Sequence, residues 1–289
     1  MVKLKNNTIV FGVNTLNYFK RLLMLGIAIA FINARGQVMQ NETITTSKGK
    51  TLKLVWHDEF DGSELDESKW GYDTGYIRNH EHQYYTKNRK KNLRIEDSKL
   101  IIEAHREDYD YGKGIAKCTS AEITTFGKAA WKYGRFEIKA KVPMGKGTWP
   151  AIWMMGTDIH KVGWPRCGEI DIMEYVGYQP RVFHFTLHGS KNGKYTRTGG
   201  KNFTTTIPEE RLAVFAIEWD EAGIRYFIDN TLVADFVRGK EIDMEPYPFD
   251  KEMYLLLNLA IGGDWGGQQG IDEGIFPARY EIDYVRVYQ

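Results

Sequence analysis

The chain has 289 residues, 42% of them hydrophobic and 13% aromatic, with 39 basic against 38 acidic side chains and a formal net charge of +1. Such a composition excludes a disordered or fibrous chain. It also lacks the basic footprint of a nucleic-acid binder, so no nucleic-acid partner is expected.

At the N-terminus, Lys20-Arg21 precede an apolar run from Leu22 to Ile32, and the small residues Ala34 and Gly36 follow. Basic flank, short apolar stretch and small residues read as a secretory signal over residues 1–36. The run is shorter than the roughly 20 residues that cross a bilayer, so no membrane span is expected. A secreted or periplasmic protein follows from that reading. Without residues 1–36 the chain carries 34 basic and 38 acidic residues, a net charge of −4. Such a surface suits an uncharged substrate better than a polyanion. Residues 37–50, rich in Thr, Ser and Asn, read as a polar linker, and 51–289 as a single domain.

From Leu52 onward short β-prone runs recur at near-regular spacing: Lys99–His105, Gly134–Val142, Val182–His188, Leu212–Trp219, Ile224–Ile228, Met253–Ile261 and Tyr280–Tyr288. Turn signals such as Glu96-Asp97-Ser98 and Asp229-Asn230 separate them. No stretch predicts a helix of three turns. The series predicts an all-β jelly-roll sandwich. One face of a curved sheet could then form an extended cleft.

One strand stands out. Glu169-Ile170-Asp171-Ile172-Met173-Glu174 threads three carboxylates through an apolar run. Strand side chains alternate faces, so Glu169 and Asp171 share one face while Ile170 and Ile172 enter the core. Regular alternation would bury Glu174, a costly place for a charge. A β-bulge around Ile172-Met173 would return it to the acidic face. A retaining glycosidase needs a nucleophile and an acid/base about 5–5.5 Å apart. By itself the hexapeptide also fits a strand with a charged solvent face.

Just upstream, Trp149 and Trp153 lie four apart, which puts them on one strand face. Indole rings can lie flat on sugar rings; two core tryptophans would show the same spacing. Trp164 and Trp265 fall in Gly/Pro-rich loops, where a large aromatic has less reason to be buried. His184 and His188 are about 13 Å apart if Val182–His188 is extended. That spacing rules out a shared zinc and favours hydrogen bonds to sugar hydroxyls, His188 first. His80-Glu81-His82 reads as a loop. Cys118 and Cys167 could pair in an oxidising compartment, and the sequence does not decide it; free thiols are preferred, because Cys167 lies two residues before Glu169 on a strand expected to be well packed.

Seven segments together resemble glycoside hydrolase family 16, within it the bacterial laminarinases and related β-1,3(1,4)-glucanases. They are Trp56–Gly62, Asn79–Thr86, Lys132–Glu137, the Trp149–Trp153 block, Gly168–Glu174, Gly262–Gly267 and Ile282–Tyr288. The extra Met173 is similar to the bulged laminarinase branch rather than the unbulged lichenases. The resemblance implies Glu169 as nucleophile, Glu174 as acid/base and Asp171 as the auxiliary residue between them. It implies sugar-binding roles for Asn79, Arg135, Trp149, Trp153 and His188, with Trp265 expected to face the ligand from its loop. No cofactor is required for the chemistry. Family members often hold a structural calcium, for which Glu59 and Asp283 match the ligands, although Ser98 replaces a glycine usual in the nearby turn. The expected protein is a monomeric, secreted, retaining endo-β-glucanase acting on a β-glucan. A family-16 galactanase (agarase- or carrageenase-like) and a non-catalytic lectin on the same sandwich are the competing expectations.

Overall fold

Strand formation follows the hydrophobic pattern closely. In Gly134–Lys141, Phe136, Ile138 and Ala140 are buried in the core while the intervening side chains face outward. The run Met253–Ile261 is buried along its whole length, as expected for a strand covered on both faces. The computed structural model describes residues 42–204 and 210–289, with side chains of 201–204 left aside. The signal-peptide reading lies outside these residues.

In chain order the first nine strands are β1 (Thr43–Thr45), β2 (Thr51–Asp58), β3 (Gly71–Asp73), β4 (Tyr84–Tyr85), β5 (Leu93–Ile95), β6 (Leu100–Asp110), β7 (Ile115–Ser120), β8 (Glu122–Thr124) and β9 (Gly134–Lys141). The rest are β10 (Thr148–Gly156), β11 (Glu169–Tyr175), β12 (Val182–Lys191), β13 (Lys194–Thr204), β14 (Ala213–Asp220), β15 (Gly223–Ile228), β16 (Thr231–Val237), β17 (Met253–Ile261) and β18 (Ala278–Tyr288). Two single-turn helices, α1 (Ile159–Val162) and α2 (Gly263–Gly266), sit in connecting loops. No helix among the described residues is long and apolar enough to cross a membrane.

The strands form a jelly-roll sandwich of two sheets. One has seven strands in the order β13-β12-β11-β10-β17-β8-β3. The other runs β16-β15-β14-β9-β18-β6-β7-β4, with β2, β1 and β5 added at its side. Between them lies one core, to which β11 gives Ile170, Ile172 and Met173, β9 gives Phe136 and Ile138, and β18 gives Ile282, Val285 and Val287. Each such side chain contributes about 1.5–3 kcal/mol when fully buried. Cys118 and Cys167 are buried free thiols.

The expected linker needs correction. From Thr43 the chain belongs to the sandwich: β1 pairs antiparallel with β2, and Ser47 donates its backbone N–H and hydroxyl to Glu218. The segment is polar because it lies on a surface, not because it lacks structure.

Candidate active site

The three carboxylates owe their placement to a bulge in β11. Asp171 faces Thr186 on β12, and Glu174 faces His184, so Ile172 and Met173 together oppose Phe185 alone. The β10 side shows the same slip, with Asp171 opposite Trp153 and Met173 opposite Ile152. Both extra apolar side chains turn into the core. Glu169, Asp171 and Glu174 consequently line one cleft. The strand begins after Gly168, whose φ is +78° and where an added Cβ would meet Pro248 Cβ at 2.8 Å. Only glycine fits that entry without displacement.

The cleft has a volume of about 1180 Å³. Its floor is apolar: Ala151, Trp153 and Met155 from β10 pack with Tyr254 and Leu256 from β17 and with Cys167. Its walls are polar and aromatic. Trp149 Nε1 donates to Glu174 Oε1 at 3.0 Å, and Trp164 Nε1 donates to Glu169 Oε2 at 2.6 Å. His188 Nε2 lies 2.9 Å from Asp171 Oδ2 and 3.9 Å from Glu169 Oε1. Trp265 stands edge-on to both Trp149 and His184.

Burial raises all three acids, and repulsion from Asp171 raises Glu169 and Glu174 further. Glu169 is pushed up to about 8, first by burial and then by Asp171, against the opposing pull of His188 and the Trp164 indole. Burial also raises Asp171. Glu174 is held well above the ordinary carboxylate range by burial and by Asp171, despite its bond from Trp149. Three carboxyls this close cannot all ionise near neutrality, so the site retains a proton for transfer.

Most of the residues expected to meet substrate are brought together here: Asn79, Trp149, Trp153, His188 and Trp265 all line the cleft. Arg135 does not. It lies on β9 of the other sheet, bonded to Glu137 at 2.6 Å, Glu218 at 3.0 Å and Asn230 at 2.8 Å. Alternation assigns it a face of its strand, but does not say to which sheet that strand belongs.

Glu59 and Asp283 do not fit a calcium site. Both Glu59 oxygens accept from Arg286, at 2.9 and 3.0 Å, and Asp283 pairs with Lys139 at 2.8 Å. Calcium takes six to eight oxygen ligands, whereas here cationic side chains already hold the two carboxylates. Among the described residues, the grouping of three His, Cys or carboxylate side chains within metal-binding reach is Glu169, Asp171 and His188, the reacting cluster itself.

Sequence reading missed a polar layer beside the floor. Asn258 accepts from Trp153 Nε1 at 2.9 Å and donates to Tyr85, whose hydroxyl bonds Glu81. Arg78 forks onto Glu122 at 2.6 and 2.7 Å while lying over the Trp153 ring. Tyr195, stacked on Trp164, was missed as well. Its alternation with Arg197 on β13 is the one local signal that could have marked it.

A jelly-roll sandwich whose cleft is lined by two glutamates and an aspartate on one bulged strand defines a carbohydrate-cleaving enzyme of the two-carboxylate kind. Residues 76–286 match the profile of glycosyl hydrolases family 16, and the chain belongs to that family; it is a glycoside hydrolase. It is 46% identical over 258 residues to the β-glucanase of Rhodothermus marinus, covering 84% of this chain and 87% of the relative. The crystal structure of the R. marinus laminarinase superposes with a TM-score of 0.74 at 43% identity, over 82% of this chain and 97% of that one. The endo-β-1,3-glucanase of Pyrococcus furiosus gives a TM-score of 0.77 at 38% identity, over 86% of this chain and 98% of that one.

Proposed function

We propose that the protein is a secreted, retaining endo-β-glucanase that cuts β-1,3 linkages, or β-1,4 linkages adjoining them in mixed-linkage glucan. The observation that carries this is the convergence of Glu169 and Glu174 on one face of β11 through the Ile172-Met173 bulge. Two carboxyls on one strand leave little room for a water opposite the leaving group, and that favours double displacement. Glu174 donates its proton to the glycosidic oxygen as Glu169 attacks the anomeric carbon. The bond to the leaving sugar breaks and a glycosyl–enzyme ester forms. Glu174, now ionised, takes a proton from water, which attacks the same carbon and frees Glu169.

Internal cleavage is supported by the extent of the cleft. Its lining includes Tyr195 and Arg197 from the edge strand β13 and Asp73 from the opposite edge strand β3. Six inter-strand spacings of about 4.8 Å amount to roughly 29 Å, room for several sugar rings. The names of the Rhodothermus and Pyrococcus relatives support β-glucan as substrate. Secretion rests on the sequence of residues 20–36, and sequencing the N-terminus of exported protein tests it.

Reducing-sugar release from laminarin, barley β-glucan and agarose, measured side by side, tests the substrate. Release from one or both glucans and none from agarose is expected; cleavage of agarose alone would redirect the reading to a galactanase. Proton NMR of early hydrolysate should show the β-anomer before mutarotation, with oligosaccharides of mixed length. Initial α-anomer, or glucose as the sole early product, would overturn the proposal.

A further inference from the structure

Beyond one end of the cleft lies a second aromatic surface that the reaction does not use. Ile77, Arg78 and Asn79 line the cleft, and the residue before them, Tyr76, stands 52% exposed outside it. Its ring meets Tyr84 and Tyr111 edge-on, with centroids 5.5 and 6.0 Å apart. Tyr84 stacks on Tyr111 at 4.8 Å and leans on Tyr109 at 5.7 Å.

Three distant segments build this cluster. Tyr84 opens β4, which pairs with β7, and Tyr109 lies near the end of β6, opposite Ala116 of β7. Tyr111 occupies the turn between β6 and β7. There Gly112 has a φ of +83°, and an added Cβ at Gly114 would lie 2.7 Å from the Tyr111 hydroxyl. Glycine at these places lets the chain turn and leaves room for the ring. A bridge between Gly75 and Tyr85 ties the loop of Tyr76 to β4.

Two features suit the cluster to a ligand. None of its four hydroxyls bonds another described residue, whereas the adjacent, buried Tyr85 hydroxyl bonds both Glu81 and Asn258. The charges around it are already paired: Arg89, over the Tyr109 ring, forks onto Glu107, and Lys117 holds Asp108. A tyrosine offers an apolar face and a polar tip, which match the C–H face and hydroxyl rim of a sugar. Paired charges match an uncharged polysaccharide better than a sulfated one.

We propose that Tyr76, Tyr84, Tyr109 and Tyr111 form a further β-glucan-binding surface, continuous with the cleft, that holds the polymer where it leaves over β3. The proposal rests on the reading of β-glucan as substrate. A chain longer than the cleft must emerge at an edge. Asp73 and Thr74 line the cleft at the β3 edge, and Gly75 and Tyr76 carry that lip onward to the tyrosines. Contacts so far from the reacting bond are equal in ground and transition states, so they lower KM and leave kcat unchanged. The rival role is packing of the β6–β7 turn alone.

The double variant Tyr76→Ala/Tyr111→Ala removes two of the rings. In a Glu169→Gln background, where the polymer stays intact, affinity electrophoresis through laminarin gels should show binding weakened about tenfold. With Glu169 present, KM for laminarin should rise by a similar factor, while kcat stays within about twofold. Cleavage of laminaritetraose, short enough to lie within the cleft, should also stay within about twofold. Thermal unfolding checks the fold; should the double variant unfold, Tyr76→Ala alone, at an exposed ring, should weaken laminarin binding about threefold. Unchanged retardation, or loss of tetrasaccharide cleavage in step with laminarin, would overturn the proposal. Failure of the wild-type protein to cleave any β-glucan is a separate result, which would sink the substrate reading and this surface's ligand together.

Discussion

Two clusters of acids, one on each sheet, are held in opposite ways. On the eleven-stranded sheet, Glu218 faces Arg135 on β9 and Arg225 on β15, and takes further hydrogen bonds from Ser47. Glu137 shares the same Arg135. Across the core, Glu169, Asp171 and Glu174 have between them one imidazole and two indole N–H groups. Where each acid meets a guanidinium the cluster is structural, and its charge is spent on holding strands together. Where charge is left undercompensated, proton affinity rises, and a group that holds a proton near neutrality can pass it to a substrate. The lesson is that acid density alone does not mark a site; the missing cations do.

The largest effect expected on the undercompensated side is loss of chemistry. Glu169→Gln should lower turnover of β-glucan by at least about 10⁴-fold, as loss of a nucleophile does elsewhere. Glu174→Ala should retain slow reaction with activated aryl glycosides and be accelerated by azide, with a β-glycosyl azide as product. Near-wild-type glucan cleavage by either variant would erase the contrast between the sheets.

Deletion of Met173 tests the device that creates the site. Without the extra residue one flank of β11 must exchange faces, so activity should disappear, with disturbed folding or a rearranged strand visible by circular dichroism. An active, equally stable deletion variant would show that the bulge does not position the acids.

Arg135→Ala probes the compensated side. It takes one of two guanidinium partners from Glu218, which keeps Arg225 and Ser47, and removes the ion-pair partner of Glu137. The loss should therefore lie at the low end of the about 3–5 kcal/mol that breaking a buried ion pair costs. Chemical denaturation should report that loss, while kcat at moderate temperature stays within about twofold. A fall in kcat without destabilisation would return Arg135 to the substrate.

The smallest effect is a gain. Burial lifts Glu169 from an ordinary value of 4.5 to about 8. Below its unfolded value such a group is protonated in both states and costs nothing. As pH rises toward its folded value the native state loses stability relative to the unfolded chain. Glu169→Gln should therefore be more stable than wild type by up to about 3 kcal/mol at pH 7, with the gain vanishing near pH 4. Equal unfolding midpoints at pH 7 would mean that the acids are better solvated than their placement suggests.

The sequence by itself determined what depends on local periodicity. The run Met253–Ile261 became a strand with those same limits, and Trp149 and Trp153, four apart, reached the same cleft. The acidic hexapeptide disclosed its own bulge, because two adjacent apolar residues between Asp171 and Glu174 break an alternation that only an extra residue can restore. Tertiary structure decided what depends on which strands become neighbours. Arg135 has the same local pattern as a cleft residue, yet β9 pairs with β14 and β18 in the other sheet, where Glu218 waits for it. Glu59 looked like a metal ligand until β18 brought Arg286 to it from the far end of the chain. Tyr195 drew no notice until the β12–β13 pairing set it against His188. Alternation fixes which side of a strand a residue occupies, while pairing between distant segments fixes what lies on that side, and charge and proton affinity are properties of that second arrangement.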